Sequence, residues 1–150
     1  LMNERAAIGG GMGSSSGNMS TERLIELVRH QGRDRDPLVR QRVADIVING
    51  RVASYTNLRA MARIAAGQLP GPEMSISKLS LTMNMRRMSE LLSAVLGPKL
   101  VADSGEWGTY AWGRFILGLP GMRVAGGTDE ILHNIIGERV LGLPKEPSAN

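Results

Sequence analysis

Gly126-Gly127-Thr128-Asp129-Glu130 is the stretch whose residue types best suit chemistry. Paired glycines let the backbone come close to a flat or anionic ligand. Free N–H groups at a helix start suit a phosphate or the polar edge of a ring. Thr128 is a good N-cap, and Asp129 and Glu130 put carboxylates in the first turn, where the helix dipole favours them. The same five residues also make an ordinary capped turn, so spacing alone leaves both readings open. Glu130 and His133 have the Glu-x-x-His spacing of di-iron bundles, but such sites need a second Glu-x-x-His and two more carboxylates. The other histidine, His30, has Leu27 three residues before it, so no metal site is predicted. With no Cys, no Gly-x-Ser-x-Gly and no triad context for either His, nucleophilic catalysis has no support.

Two further clusters have a bland and a sharp reading. Arg29, Arg33, Arg35, Arg40 and Arg42 are interleaved with Asp34 and Asp36. This is either a solvated face or one on which an arginine or two meets a phosphate. The run from Gly9 to Gly17 holds only Gly, Ser and one Met, and predicts a mobile surface loop. As a phosphate cradle it lacks the Gly-Lys-Ser/Thr ending of a P-loop.

The elements that must carry these residues are helical. Residues 2–9 read as helix, and helix resumes near Ser20 with Leu24, Ile25, Leu27 and Val28 on one side, ending by Gly32. Asp36 caps and Pro37 opens a long segment to about residue 66. Its expected buried stripe is Val43, Val47, Leu58, Met61 and Ala65, widened by Ile46 and Tyr55. Leu69-Pro70-Gly71-Pro72 breaks the chain, and a third helix runs to Leu96 with Leu81, Met85, Met88, Leu92 and Val95 in line. Its methionines fill a core or present a soft ligand-facing surface. Residues 99–125 read as irregular or short-helical, and the last helix runs from its Thr128 cap to Gly142 and Pro144. No strand-like alternation of useful length is present. The expectation is an all-α protein, an antiparallel four-helix bundle formed by residues 1–150 as one domain.

Bulk composition narrows the field. A chain of 150 residues with 42% apolar content can bury a real core, and nine Met compensate for only 3% aromatics. The absence of Cys excludes disulfides and thiolate metal sites and permits a reducing compartment. A net charge of +4 fits nucleic acid, an acidic partner or an anionic cofactor. Aromatics are too few for base stacking and no zinc-finger pattern occurs, so no nucleic acid is expected. No apolar run approaches the roughly 20 residues of a membrane span. The chain opens on Leu1 with Glu4 already in a helical pattern, and reads as a piece of a longer protein.

Gly-Gly-Thr-Asp-Glu-Ile-Leu, followed by Ile-Ile-Gly-Glu-Arg-Val-Leu-Gly-Leu-Pro, resembles the C-terminal signature of the acyl-CoA dehydrogenase family. Leu1-Met-Asn-Glu-Arg5 is similar to the start of that family's C-terminal helical domain. The resemblance implies FAD-dependent α,β-dehydrogenation of an acyl-CoA thioester, with a glutamate taking the α-proton and a hydride passing to flavin N5. It also implies a three-domain enzyme, a dimer or homotetramer located in the cytoplasm, with electron-transfer flavoprotein or a similar electron acceptor. In much of the family the base immediately precedes the Gly-Thr pair, where this chain has Gly126. Members resembling isovaleryl- and long-chain-type enzymes carry it instead in a Glu-Arg on the first helix of this domain, and Glu4-Arg5 stands at the matching place. The resemblance therefore implies Glu4 as catalytic base and Gly127, Thr128 and Glu130 as flavin-nucleotide contacts. Arg29 corresponds to the arginine that reaches the FAD diphosphate across a dimer interface, although the family's Arg-x-x-Phe-Gly is here Arg29-His-Gln-Gly32. The family's Gln-x-x-Gly-Gly-x-Gly is replaced near Leu92–Pro98. Some relatives are non-catalytic partner subunits, so a helical oligomerisation module without chemistry is the alternative. In the full enzyme this domain is expected to form the tetramer core, with the apolar faces at 81–95 and 131–140 as its interface.

Overall fold

The computed structural model describes residues 20–69 and 71–145. Glu4 and the Gly9–Gly17 run lie outside these residues. Among the described residues the chain forms five α-helices, α1 (Thr21–His30), α2 (Pro37–Ala65), α3 (Glu73–Leu96), α4 (Tyr110–Val124) and α5 (Asp129–Arg139), with a 3-10 turn at Gly97–Leu100 and no strand. The expected all-α class holds.

Local chemistry sets the boundaries. Ser20 accepts from the Arg23 N–H, and Asp36 accepts from the N–H groups of Leu38 and Val39 with Pro37 in the first turn. The connection from α2 to α3 turns through Gly67 at φ +79°, a conformation side chains with a Cβ resist. Cross-contacts show that α2 and α3 then run antiparallel. Arg63 pairs with Glu73, the Asn84 amide donates to the Ile46 carbonyl, and Arg87 pairs with Asp45. Partner numbers rise on one helix as they fall on the other.

One core joins four of the helices. It contains Leu24, Leu27 and Val28 of α1, Val39 and Ile46 of α2, Met85, Met88, Leu91, Leu92 and Leu96 of α3, and Trp112, Phe115 and Leu119 of α4. Each such side chain, fully buried, contributes on the order of 2 kcal/mol from removal of its surface from water. The methionines are thus core filler, not a ligand surface. The helix α5 lies against α3 with Leu132 fully buried.

Three expectations need correction. First, the stretch 99–125, expected to be irregular or short-helical, contains a continuous helix of 15 residues at Tyr110–Val124. Gly113, Gly118, Gly121 and Pro120 lower its intrinsic propensity. Trp112, Phe115 and Leu119 sit at positions i, i+3 and i+7, and their burial outweighs that deficit. Gly113 is there because α4 meets the 3-10 turn backbone to backbone: a Cβ would stand 2.7 Å from the Leu100 carbonyl oxygen. Secondly, the stripe on α2 ends early. Val39, Ile46 and the small Ala60 are buried, whereas Tyr55, Leu58 and Ala65 are exposed. Among the described residues the main neighbour of α2 is α3, and beyond Ile46 the burial on α2 is confined to Ala60. Thirdly, the 81–95 face is no interface, since Met85, Met88 and Leu92 are in the core and Leu81 and Val95 pack against it. The 131–140 face does keep apolar surface, with Ile131 and Val140 exposed.

Candidate functional site at the glycine turn

The turn between α4 and α5 has the conformation its glycines permit. Gly126 and Gly127 have φ of +70° and +111°, and the Gly127 N–H donates to the Val124 carbonyl at 3.1 Å. Thr128 is the N-cap, its hydroxyl accepting from the Ile131 N–H at 3.4 Å. The strongest restraint comes from outside the turn. Lys78 of α3 is completely buried and its Nζ donates to the Arg123 carbonyl at 3.0 Å and the Gly127 carbonyl at 2.6 Å. One turn along α3, Thr82 Oγ1 lies 3.2 Å from Asp129 Oδ1. Arg123 closes the ring, with Nε at 2.8 Å and Nη2 at 2.5 Å from Asp129 Oδ2. The cation of Arg123 is thus spent on the first-turn carboxylate of α5.

Beside this corner is a groove of about 470 Å³. Ile116, Leu119, Pro120 and Val124 of α4 give it an apolar wall, and Thr128, Asp129 and Glu130 form its polar side. Glu130 is exposed. Its carboxyl is held below the ordinary 4.5 chiefly by its own backbone N–H and then by the Thr128 hydroxyl, with Arg123 adding and Asp129 opposing. It is an anion at neutral pH. A helix start already carrying that anion disfavours a bare diphosphate and suits hydroxyls and the edge of a neutral ring.

Of the residues singled out in the sequence, Thr128 and Glu130 line this groove, whereas Gly127 does not and is instead held through its carbonyl by Lys78. Arg29 is exposed on α1 and lines a different cavity of about 230 Å³, together with Ile25, Val28, Asp34, Arg40 and Val43. Glu4 is not among the described residues. His133 is exposed, and among the described residues no three His, Asp or Glu side chains are grouped to hold a metal. No helix among them is long and apolar enough to cross a membrane. Sequence reasoning missed Lys78 and Thr82. The available signal was a lysine in register with the buried face of α3, between Met74 and Met85, where a charge survives only with specific partners.

The described fold is a helical bundle with a glycine turn beside a groove that is apolar on one wall and polar on the other, and comparison with known proteins specifies its family. The acyl-CoA dehydrogenase C-terminal domain matches residues 1–141. The chain belongs to that family. It is similar to acyl-CoA dehydrogenase IpdE1 of Mycobacterium tuberculosis (strain ATCC 25618 / H37Rv), 35% identical over 130 residues covering 82% of this chain and 31% of the relative. The IpdE1 of Mycolicibacterium smegmatis (strain ATCC 700084 / mc(2)155) is 36% identical over 128 residues, 82% of this chain and 30% of the relative. The chain therefore spans about a third of the length of these curated relatives. No solved structure matches it significantly.

Proposed function

We propose that this chain is the C-terminal helical domain of a FAD-dependent acyl-CoA dehydrogenase acting on an acyl-CoA thioester. The observation that carries this reading is the family match running through Gly126-Gly127-Thr128, where two consecutive glycines hold positive φ at the start of α5. The residues present fit the flavin nucleotide through an apolar wall on α4, with the hydroxyl of Thr128 and the carboxylate of Glu130 as hydrogen-bonding partners. When bound, FAD supplies the electron sink for the pair that leaves the Cβ–H bond. Gly127, Thr128 and Glu130 would hold its ring edge or hydroxyls. Arg29 would meet the diphosphate from a second protomer, which explains its place in a separate cavity.

Glu4 is our choice for the base that takes the α-proton, since Gly126 has no side chain to offer at the family's more usual position. An apolar slot would raise its pKa and match it to the acidified α-proton. Electrons would pass on to an electron-transfer flavoprotein or similar acceptor. We place the complete protein in the cytoplasm as a homo-oligomer. The partner-subunit alternative draws on the replacement of the family's Gln-x-x-Gly-Gly-x-Gly near Leu92–Pro98, and the same experiment separates the two. In the full-length protein Glu4→Gln is expected to abolish acyl-CoA turnover, a drop of 10²-fold or more for loss of a general base, while FAD stays bound. Retained turnover rejects Glu4, and a colourless, acyl-CoA-inert wild type favours the partner subunit.

A further inference from the structure

Lys78 has no role in the chemistry described above, yet its place in the fold is costly. An ammonium group removed from water needs strong compensation, and an apolar side chain of similar length would fill the same volume without that cost. Its ammonium spans both ends of one short segment: it donates to Arg123, in the last turn of α4, and to Gly127, next to the cap of α5. The carbonyl of Arg123 sits at the negative end of the α4 dipole, a favourable place for a cation. The carbonyl of Gly127 belongs to the second of two consecutive glycines, the residue type whose backbone is the most permissive, so Gly126 and Gly127 restrict the turn little by themselves. The 2.6 Å bond from Lys78 adds the missing restraint. Thr82, one turn further on, fixes Asp129 and with it the direction in which α5 leaves.

We propose that Lys78 is the positioning residue of the glycine turn, holding Gly126–Thr128 in the shape that meets the ligand and thereby setting the affinity for flavin. The first half of this statement stands on the geometry alone; the second rests on the flavin reading given above.

The test uses the full-length protein with Lys78→Met and Lys78→Arg, and two measurements. One is amide hydrogen exchange, comparing residues 125–128 with the core amides of 85–92. The other is titration of FAD into the apoprotein followed by flavin fluorescence. For Lys78→Met we expect exchange at 125–128 to accelerate about tenfold or more with 85–92 unchanged. The FAD dissociation constant should rise by about tenfold or more, as loss of a charge-assisted hydrogen bond implies. Lys78→Arg, which retains donors for both carbonyls, should fall between wild type and Lys78→Met, and it decides the question if the methionine variant does not fold. Unchanged exchange at 125–128 overturns the proposal. So does equal acceleration throughout the core, which would mark a general structural lysine. Faster exchange at 125–128 with unaltered FAD affinity overturns the link to the ligand. A wild type that takes up no FAD sinks the flavin reading instead, and the exchange measurement still judges the clamp.

Discussion

Glu22, Asp36 and Glu130 each sit at the start of a helix, and the carboxyl of each is held below its ordinary value. The leading cause at Glu22 and Glu130 is the residue's own backbone N–H, and at Asp36 the Arg33 guanidinium. A carboxyl whose folded-state pKa is depressed adds stability above its unfolded value and loses it as pH falls through the folded one. The urea midpoint should therefore be flat from neutral pH down to about the ordinary glutamate value of 4.5 and then decline. Glu130→Gln should make that decline shallower, and urea titrations at a series of pH values, followed by circular dichroism, would show it. At this scale the sequence was legible where chemistry is local. The Thr128 cap and first-turn acids follow from types and spacing, because a cap and its helix are neighbours in the chain. Lys78 is different: its partners lie 45 and 49 residues away, so nothing near it in sequence announces them.

Among the elements, α4 shows how tertiary packing overrides propensity. Its glycines and Pro120 argue for a loop, and only the register of Trp112, Phe115 and Leu119 argues for a helix. Trp112 and Phe115 meet edge to face, with ring centroids 6.3 Å apart, in the core shared with α1 and α3. Trp112→Ala should cost about 3–5 kcal/mol of unfolding free energy, the range for truncating a buried aromatic. Denaturant unfolding of the 150-residue chain would measure it, and a loss below about 1 kcal/mol would mean that α4 is held by something other than this contact. The helices with capped starts and glycine ends were readable to within a residue or two. The extent of burial along α2 was not, because a stripe states which residues could face a neighbour, not how far the neighbour extends.

The described residues taken together present an apolar row that nothing among them covers. Ile48, Val52, Tyr55 and Leu58 are 60%, 58%, 64% and 60% exposed and follow one another at helical spacing on α2. A soluble protein rarely leaves such a row to water, so it fits a subunit contact in the proposed oligomer. Val52→Asp together with Leu58→Asp should leave the helix content intact and lower the mass of the full-length assembly by light scattering. An unchanged mass would assign the row to another part of the same polypeptide. The curated relatives are about three times as long as this chain, so either cover is physically available.

The bond network centred on Lys78 also bears on how divisible this domain is. A polypeptide stopped short of Arg123 would retain the ammonium inside the helix pair while lacking two of the oxygens that solvate it there. The last two helices are therefore no detachable appendage, and trimming the tail damages the interior rather than the rim.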